Sequence, residues 1–240
     1  GVCPALVEGG AGGTTCLGSA LCVRAGGAGS EIGGLELRGG GGGIDLIDTA
    51  NIVLSNLHVH DNDYRGIHVE RATDVVIEDV LVEDNADTGI FAMASDVIIR
   101  RSQVRRTTPR QGIIDTGRGI VVSVACHDDA SGLDCDEDAP ASATIESCVV
   151  EENELTGVFV MGSMVELDAA VVRSNFESTP DGERGHGVLG TAVCDTVGTT
   201  YACNASAPAT VSVEQSVVSG NATAGVAAIS STMTVANSVI

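Results

Sequence analysis

The chain has no lysine and no tryptophan, and aromatic residues make up only 2% of its 240 positions. All twelve basic residues are arginines, so Lys-based catalysis is excluded. Against them stand 33 Asp and Glu, for a net charge of -21. A surface of that sign repels nucleic acid and anionic membranes, and it meets a polyanionic glycan only through a cation. No stretch approaches the roughly 20 apolar residues of a membrane span, so no membrane insertion is expected. No apolar run has the 3.6-residue period of a useful helix either. The sequence starts at Gly1 without a methionine or a charged-then-apolar leader, which reads as a mature or trimmed form.

What the chain does have is repetition. Residues 89–156 and 157–224 align without a gap at an offset of 68, with 18 of 68 positions identical. Gly89/Gly157, Phe91/Phe159, Met93/Met161, Cys126/Cys194, Cys135/Cys203 and Asn153/Asn221 are among them, and residues 225–240 begin a third copy. Such a self-match signals stacked units that bury their apolar faces against one another. A smaller unit lies inside it. Gly43, Gly66, Gly89, Gly119, Gly157, Gly187 and Gly225 recur at intervals of 23, 23, 30, 38, 30 and 38 residues. Each opens a short strand of period two. Strands this short, joined by tight turns, cannot pair within a unit and must pair with the same strand of the next, about 4.8 Å away.

The expected fold is all-β, a parallel β-helix of about 7–9 coils with disulfide-closed loop inserts. Residues 43–240 form the solenoid, and residues 1–42, rich in glycine, form irregular early coils. Stacking predicts columns: Asn62, Asn85, Thr107, Asn153, Asn175 and Asn221 as a ladder, and Val59, Val82, Val104, Val150, Val172 and Val218 as core. A chain that stops inside a third copy predicts end-to-end stacking or continuation beyond Ile240.

With repeats such as "DVVIEDVLVEDNADTGIFA", residues 43–240 resemble the right-handed parallel β-helix of the pectate-lyase-like superfamily. That fold carries lyases, hydrolases, epimerases, adhesins and phage fibres, so it implies an architecture and not one activity. In its lyases and glycosidases the sheet after each coil-opening glycine is the binding face. Here the outward positions of that sheet give His68, Phe91, Val121, Phe159, Leu189 and Ala227, then Glu70, Met93, Ser123, Met161, Thr191 and Ile229. Phe91, Met93, Val121, Phe159, Met161 and Leu189 are the expected ligand-binding floor for a glycan or protein surface, unless the loops fold over them as a satellite core.

Cys126/Cys135 and Cys194/Cys203 close loops of equal length at repeat-equivalent places and read as disulfides; Cys148 falls in a core column. Cys3, Cys16 and Cys22 imply one pair and one leftover thiol. Disulfides point to the periplasm, cell surface or medium. Asp128, Asp134, Asp136 and Asp138 crowd one such loop and suggest weak Ca²⁺ binding, although Ala139 and Ile145 break an EF-hand pattern.

The resemblance supplies enzymatic expectations too. A pectate-lyase-like site would want several carboxylates and an Arg on the binding face, where the positions read here are mostly apolar. Gly185-His186-Gly187 and Asp128-Asp129 echo polygalacturonases without their Arg-Ile-Lys element. His58-Val59-His60-Asp61 and the Arg cluster echo epimerases and alginate lyases, but His60, Glu83, Arg105, Glu151 and Arg173 also make a plain salt-bridge column. The leading expectation is a secreted or surface binding module, adhesin-like; the alternative is a carbohydrate-active enzyme using Asp115, Arg118, Asp128 and His186.

Overall fold

The computed structural model describes residues 16, 18–111, 116–129, 132–176, 185–197, 200–204 and 206–240, with the backbone alone described at 127–129, 132–134, 195–197 and 200–203. Cys3 and Asp115 lie outside the described residues.

Three parallel sheets run the length of the chain. The first contains Leu21–Val23, Ile44–Ile47, Ile67–Glu70, Thr88–Met93, Arg118–Ser123, Thr156–Met161, His186–Thr191 and Val226–Ile229. The second has eight strands, from Glu31–Gly33 to Thr232–Ala236, and the third seven, from Glu36–Arg38 to Val217–Ser219. Each coil but the last contributes one strand to each sheet, so the polypeptide winds as a parallel β-helix. Residues 21–38 already pair in register with the coil that follows, so strands begin well before Gly43. The one helical element among the described residues is a three-residue 3-10 turn at Ala25–Gly27.

The core columns are real neighbours. Val59, Val82, Val104, Val150, Val172 and Val218 are directly paired and fully buried. The second column, Leu57, Val80, Ser102, Cys148, Ala170 and Ser216, is buried as well, and its shrinkage has a cause. The Ser102 and Ser216 hydroxyls accept the backbone N–H of Val80 and Ala170, so a small polar residue satisfies a turn donor that water cannot reach. Cys148 sits in this column as a free, buried thiol whose pKa burial pushes up to about 11.

At the next turn the asparagines form the expected ladder. Asn62 Nδ2 donates to Asn85 Oδ1 at 2.8 Å, Asn153 Nδ2 to Asn175 Oδ1 at 3.0 Å, and Asn175 Nδ2 to Asn221 Oδ1 at 2.9 Å. The glycines that open the coils make room for it. A Cβ on Gly66 would stand 2.6 Å from both the Gly89 carbonyl oxygen and a Val82 methyl, and 3.0 Å from the Asn85 amide nitrogen.

Sheet-to-sheet turns are made by left-handed residues, many of them not glycine: Arg71, Ala94, Asp79, Arg101, Ala169, Asp84 and Arg106 all have φ between 48° and 54°. Side chains pay about 1–2 kcal/mol for that conformation, and the ladders on either side enforce it.

Two antiparallel hairpins leave the solenoid between the first and second sheets, Ala125–Asp129 with Gly132–Asp136, and Val193–Val197 with Thr200–Asn204. Cys126 and Cys135 are bridged across the first. In the second, Cys194 is disulfide-bonded and stands directly opposite Cys203 in the backbone register. Cys16 pairs with Cys22. Gly162, in the coil between the hairpins, has φ +57°, and a Cβ there would come within 2.5 Å of Val193 and 2.9 Å of Val124, so its bare backbone lets the hairpin roots converge.

Candidate functional site

The outer face of the first sheet gathers most of the unusual side chains. Its central column reads Cys22, Asp45, His68, Phe91, Val121, Phe159, Leu189 and Ala227. Beside it run Ile47, Glu70, Met93, Ser123, Met161, Thr191 and Ile229, and on the other flank Thr88, Arg118, Thr156 and His186.

The apolar floor divides in two. Met93 and Val121 are buried, and the backbone N–H of Cys126, at the root of the first hairpin, points at Met93 Sδ from 3.5 Å. Met93 is thus covered from the hairpin root, and Val121 lies between Phe91 and Phe159 in the column. Phe91, Phe159, Met161 and Leu189 stay half-buried. Each phenylalanine carries a guanidinium: Arg65 lies 4.2 Å from the Phe91 centroid and Arg118 4.6 Å from that of Phe159. Arg65 also covers Tyr64 and reaches Asp87 at 3.3 Å, while Arg110 lies 4.9 Å from the Tyr64 centroid as well. Cation–π contacts of this kind hold flat, hydrogen-bonding groups over an apolar surface.

Toward the N-terminal coils the face becomes polar. His68 stacks on Phe91 with ring centroids 5.5 Å apart. Its Nδ1 lies 3.4 Å from Asp45 Oδ1 and its Nε2 3.8 Å from Glu70 Oε2. Ser19 donates its hydroxyl to the other Asp45 oxygen at 2.6 Å, and Arg71 clamps Glu70 and Asp48 together. Asp45, His68 and Glu70 are 7%, 8% and 2% exposed, so three ionisable groups share a nearly closed space. Burying charge is costly unless it is paired, and here the pairing partners are one another and Arg71. The imidazole thus lies within ion-pair distance of two carboxylates, next to an aromatic ring, with no hydrogen bond to Nε2 among the described residues.

Of the sequence candidates, Arg118 and His186 fall in one outward column with Thr156 between them, about 9.6 Å apart at two strand spacings. Asp115 lies outside the described residues, and the side chain of Asp128 likewise. In the acidic loop, Asp134 is described by backbone alone; Asp136 and Asp138 are exposed, with the Asp138 N–H donating to Asp136 Oδ1 at 3.0 Å. As the donors are held here, no group of three or more His, Cys, Asp or Glu among the described residues converges on a metal. Asp45, Arg65 and Asp87 were missed by the sequence reading. Asp45 was within reach of it, because it stands two residues after Gly43 just as His68 follows Gly66. Arg65 precedes the strand and gave no periodic signal.

The chain is similar to three solved enzymes of related shape. One is the A-module of mannuronan C-5 epimerase AlgE4 from Azotobacter vinelandii, at 16% identity and a TM-score of 0.60 over 88% of this chain and 59% of that one. Another is a double mutant of the periplasmic alginate epimerase AlgG, at 14% identity and 0.54, covering 88% and 51%. The third is pectate lyase Pel9A, at 15% identity and 0.53, covering 75% and 40%. The chain thus spans about half the length of these structures, and at such identities the likeness shows the fold alone. No curated protein matches it. The family model described as "Right handed beta helix region" matches residues 14–176. The stacked coils, the asparagine ladder and this match together place the chain in the right-handed β-helix family.

Proposed function

We propose that the chain is an extracellular or periplasmic binding module that holds a carboxylate-bearing polysaccharide along the outer face of the first sheet. One observation carries the reading: Phe91 and Phe159 stand in the same column, two coils apart, each half-buried beneath a guanidinium. The rings seat the guanidiniums, and Arg65 and Arg118 present forked donors that match carboxylates and locally offset the chain's negative charge. Their spacing, about 9.6 Å, is close to the length of two linked sugar rings. The relatives in fold are named for pectate, mannuronan and alginate, and the Cys16–Cys22 and Cys126–Cys135 bridges suit an oxidising compartment.

Isothermal titration with oligogalacturonate, oligomannuronate and a neutral oligosaccharide tests this, with and without Ca²⁺. The Ca²⁺ arm also examines the Asp128–Asp138 loop as a bridging site. Binding of a uronate that disappears in Phe91→Ser and Phe159→Ser, at unchanged melting temperature, supports the proposal. Equal binding of the neutral sugar, or loss of melting temperature with retained binding, defeats it.

A second reading rests on His68. An imidazole buried between Asp45 and Glu70 on the same face is a group suited to moving a proton, as a lyase or epimerase requires. Unsaturated product detected by ultraviolet absorbance, and lost in His68→Gln, would favour it over simple binding.

A further inference from the structure

The cations of the first sheet recur with a period of two coils. Ile67, Ile90, Ile120, Val158 and Val188 are successive register partners, and the residues two positions before them are Arg65, Thr88, Arg118, Thr156 and His186. A basic side chain therefore stands at every second coil, with a buried threonine between. The column beside it keeps the same step, because Arg65 lies over Phe91, Arg118 lies over Phe159, and Val121 separates the two rings. The cause is in the sequence: the 68-residue duplication spans two coils, so Thr88 and Thr156, Phe91 and Phe159, and Arg118 and His186 are equivalent positions about 9.6 Å apart. We propose that the ligand is a polysaccharide with one carboxylate on every second sugar, a uronate alternating with an uncharged unit. The inference rests on the glycan-binding reading above and names the class of chain within it.

The positions between the cations and the far flank of the face both select against a charge on every ring. Asp87 accepts from Arg65 Nε at 3.3 Å, and among the described residues nothing else hydrogen-bonds that guanidinium, so its terminal nitrogens remain for one ligand carboxylate. A further cation, Arg110, lies against Tyr64 and not over a ring of the column. Thr88 and Thr156, at the intermediate coils, are 4% and 2% exposed and offer no charge. The hairpins leave from the opposite flank, where Asp136, Glu137 and Asp138 are all exposed. Asn204 of the second hairpin donates to Glu137, which ties the two hairpins together. Successive rings of an extended sugar chain are turned over relative to one another. On a homopolyuronate, half of the carboxylates then face the arginines and half face the three acids. The second half meets like-charge repulsion on a chain whose net charge is already -21, whereas an uncharged sugar in that place meets none.

Calorimetric titration of the full chain in calcium-free buffer of about 50 mM salt, where surface charge is weakly screened, compares two uronate chains of equal length. One is a hyaluronan fragment, in which glucuronate alternates with N-acetylglucosamine, and the other is oligomannuronate, with a carboxylate on every ring. The hyaluronan fragment should bind about tenfold more tightly. A variant carrying Asp136→Asn, Glu137→Gln and Asp138→Asn changes only exposed side chains, and it should bring oligomannuronate to within about twofold of the hyaluronan fragment without weakening the latter. Equal affinity of the two uronates for the parent chain, or a gap that the triple variant leaves intact, would overturn the alternating-charge assignment and leave uronate binding in place. Failure of both uronates to bind would remove the glycan-binding reading itself, and this inference with it.

Discussion

Thr107 interrupts the asparagine ladder, and its repair is a quantitative test of stacking. Its hydroxyl is buried and has no hydrogen-bond partner among the described residues, while its backbone N–H donates to Asn153 Oδ1 at 3.1 Å. Space for an amide exists: the Thr107 hydroxyl lies 3.1 Å from where a Gly89 Cβ would stand, and the amide nitrogens of Asn85 and Asn153 lie 3.0 and 2.8 Å from the equivalent points at Gly66 and Gly119. In Thr107→Asn the new amide can donate to Asn153 Oδ1 and accept from Asn85. Two hydrogen bonds at about 0.5–1.5 kcal/mol each, less about 1 kcal/mol for fixing the side chain, leave about 1 kcal/mol. For a chain of this size that is a rise of about 2–4 °C in Tm. Asn153→Ala works the other way. It strands the buried Thr107 N–H and removes the 3.0 Å bond to Asn175, at about 3 kcal/mol or about 6–12 °C. Calorimetry of the two single variants and the double variant closes the cycle. The gain from Thr107→Asn should shrink when Asn153 is alanine. A Thr107→Asn chain that melts lower than the parent, or gains equally in both backgrounds, would refute the ladder argument.

Ala169→Gly should stabilise by about 1 kcal/mol, since Ala169 is exposed with φ 51° and glycine adopts that conformation freely; urea unfolding measures it, and a loss of stability would show that the turn is not strained. Cys148, its thiol held near 11 by burial, should resist a thiol reagent in the folded chain and react on denaturation, whereas fast labelling would place it at the surface. Stability should fall at both ends of the pH range. The Asp61 hydrogen bond, opposed by burial and helped by Glu36, raises the His60 pKa, so its contribution is complete below about 6.5 and is lost as pH rises through the raised value. Burial opposes charge on Glu83, but hydrogen bonds from Arg105, His58 and Arg106 prevail and hold it at about 2, so its contribution is complete above about 4.5 and fades toward 2. Glu83→Gln should flatten the acid limb of a Tm-versus-pH curve; an unchanged limb would contradict this.

The fold was legible because the solenoid copies one environment at every coil. Val59 to Val218 must all be core if any one is, and Gly66 and Gly157 cannot take a side chain where the next coil's carbonyl passes. The charge columns were legible for the same reason, and Arg100–Glu78, Arg105–Glu83 and Arg173–Glu151 pair as their register requires. The site was only partly legible. Periodicity put His68, Phe91 and Phe159 on one outward face, but which outward residues stay accessible depends on loops that obey no period. Met93 is covered where a hairpin root meets it, and Arg65 and Tyr64 reach the face from a turn. The His58–His60 strand looked like an ordinary salt-bridge row, because only coordinates reveal that Asp61 turns back onto His60.

Hydrogen-exchange mass spectrometry in the presence of a saturating uronate oligosaccharide tests the central functional claim most directly. Protection should increase along Ile67–Glu70, Thr88–Met93, Arg118–Ser123 and Thr156–Met161 and leave the third sheet unchanged. Protection confined to the third sheet or to the hairpins, with the first sheet unaltered, would contradict it.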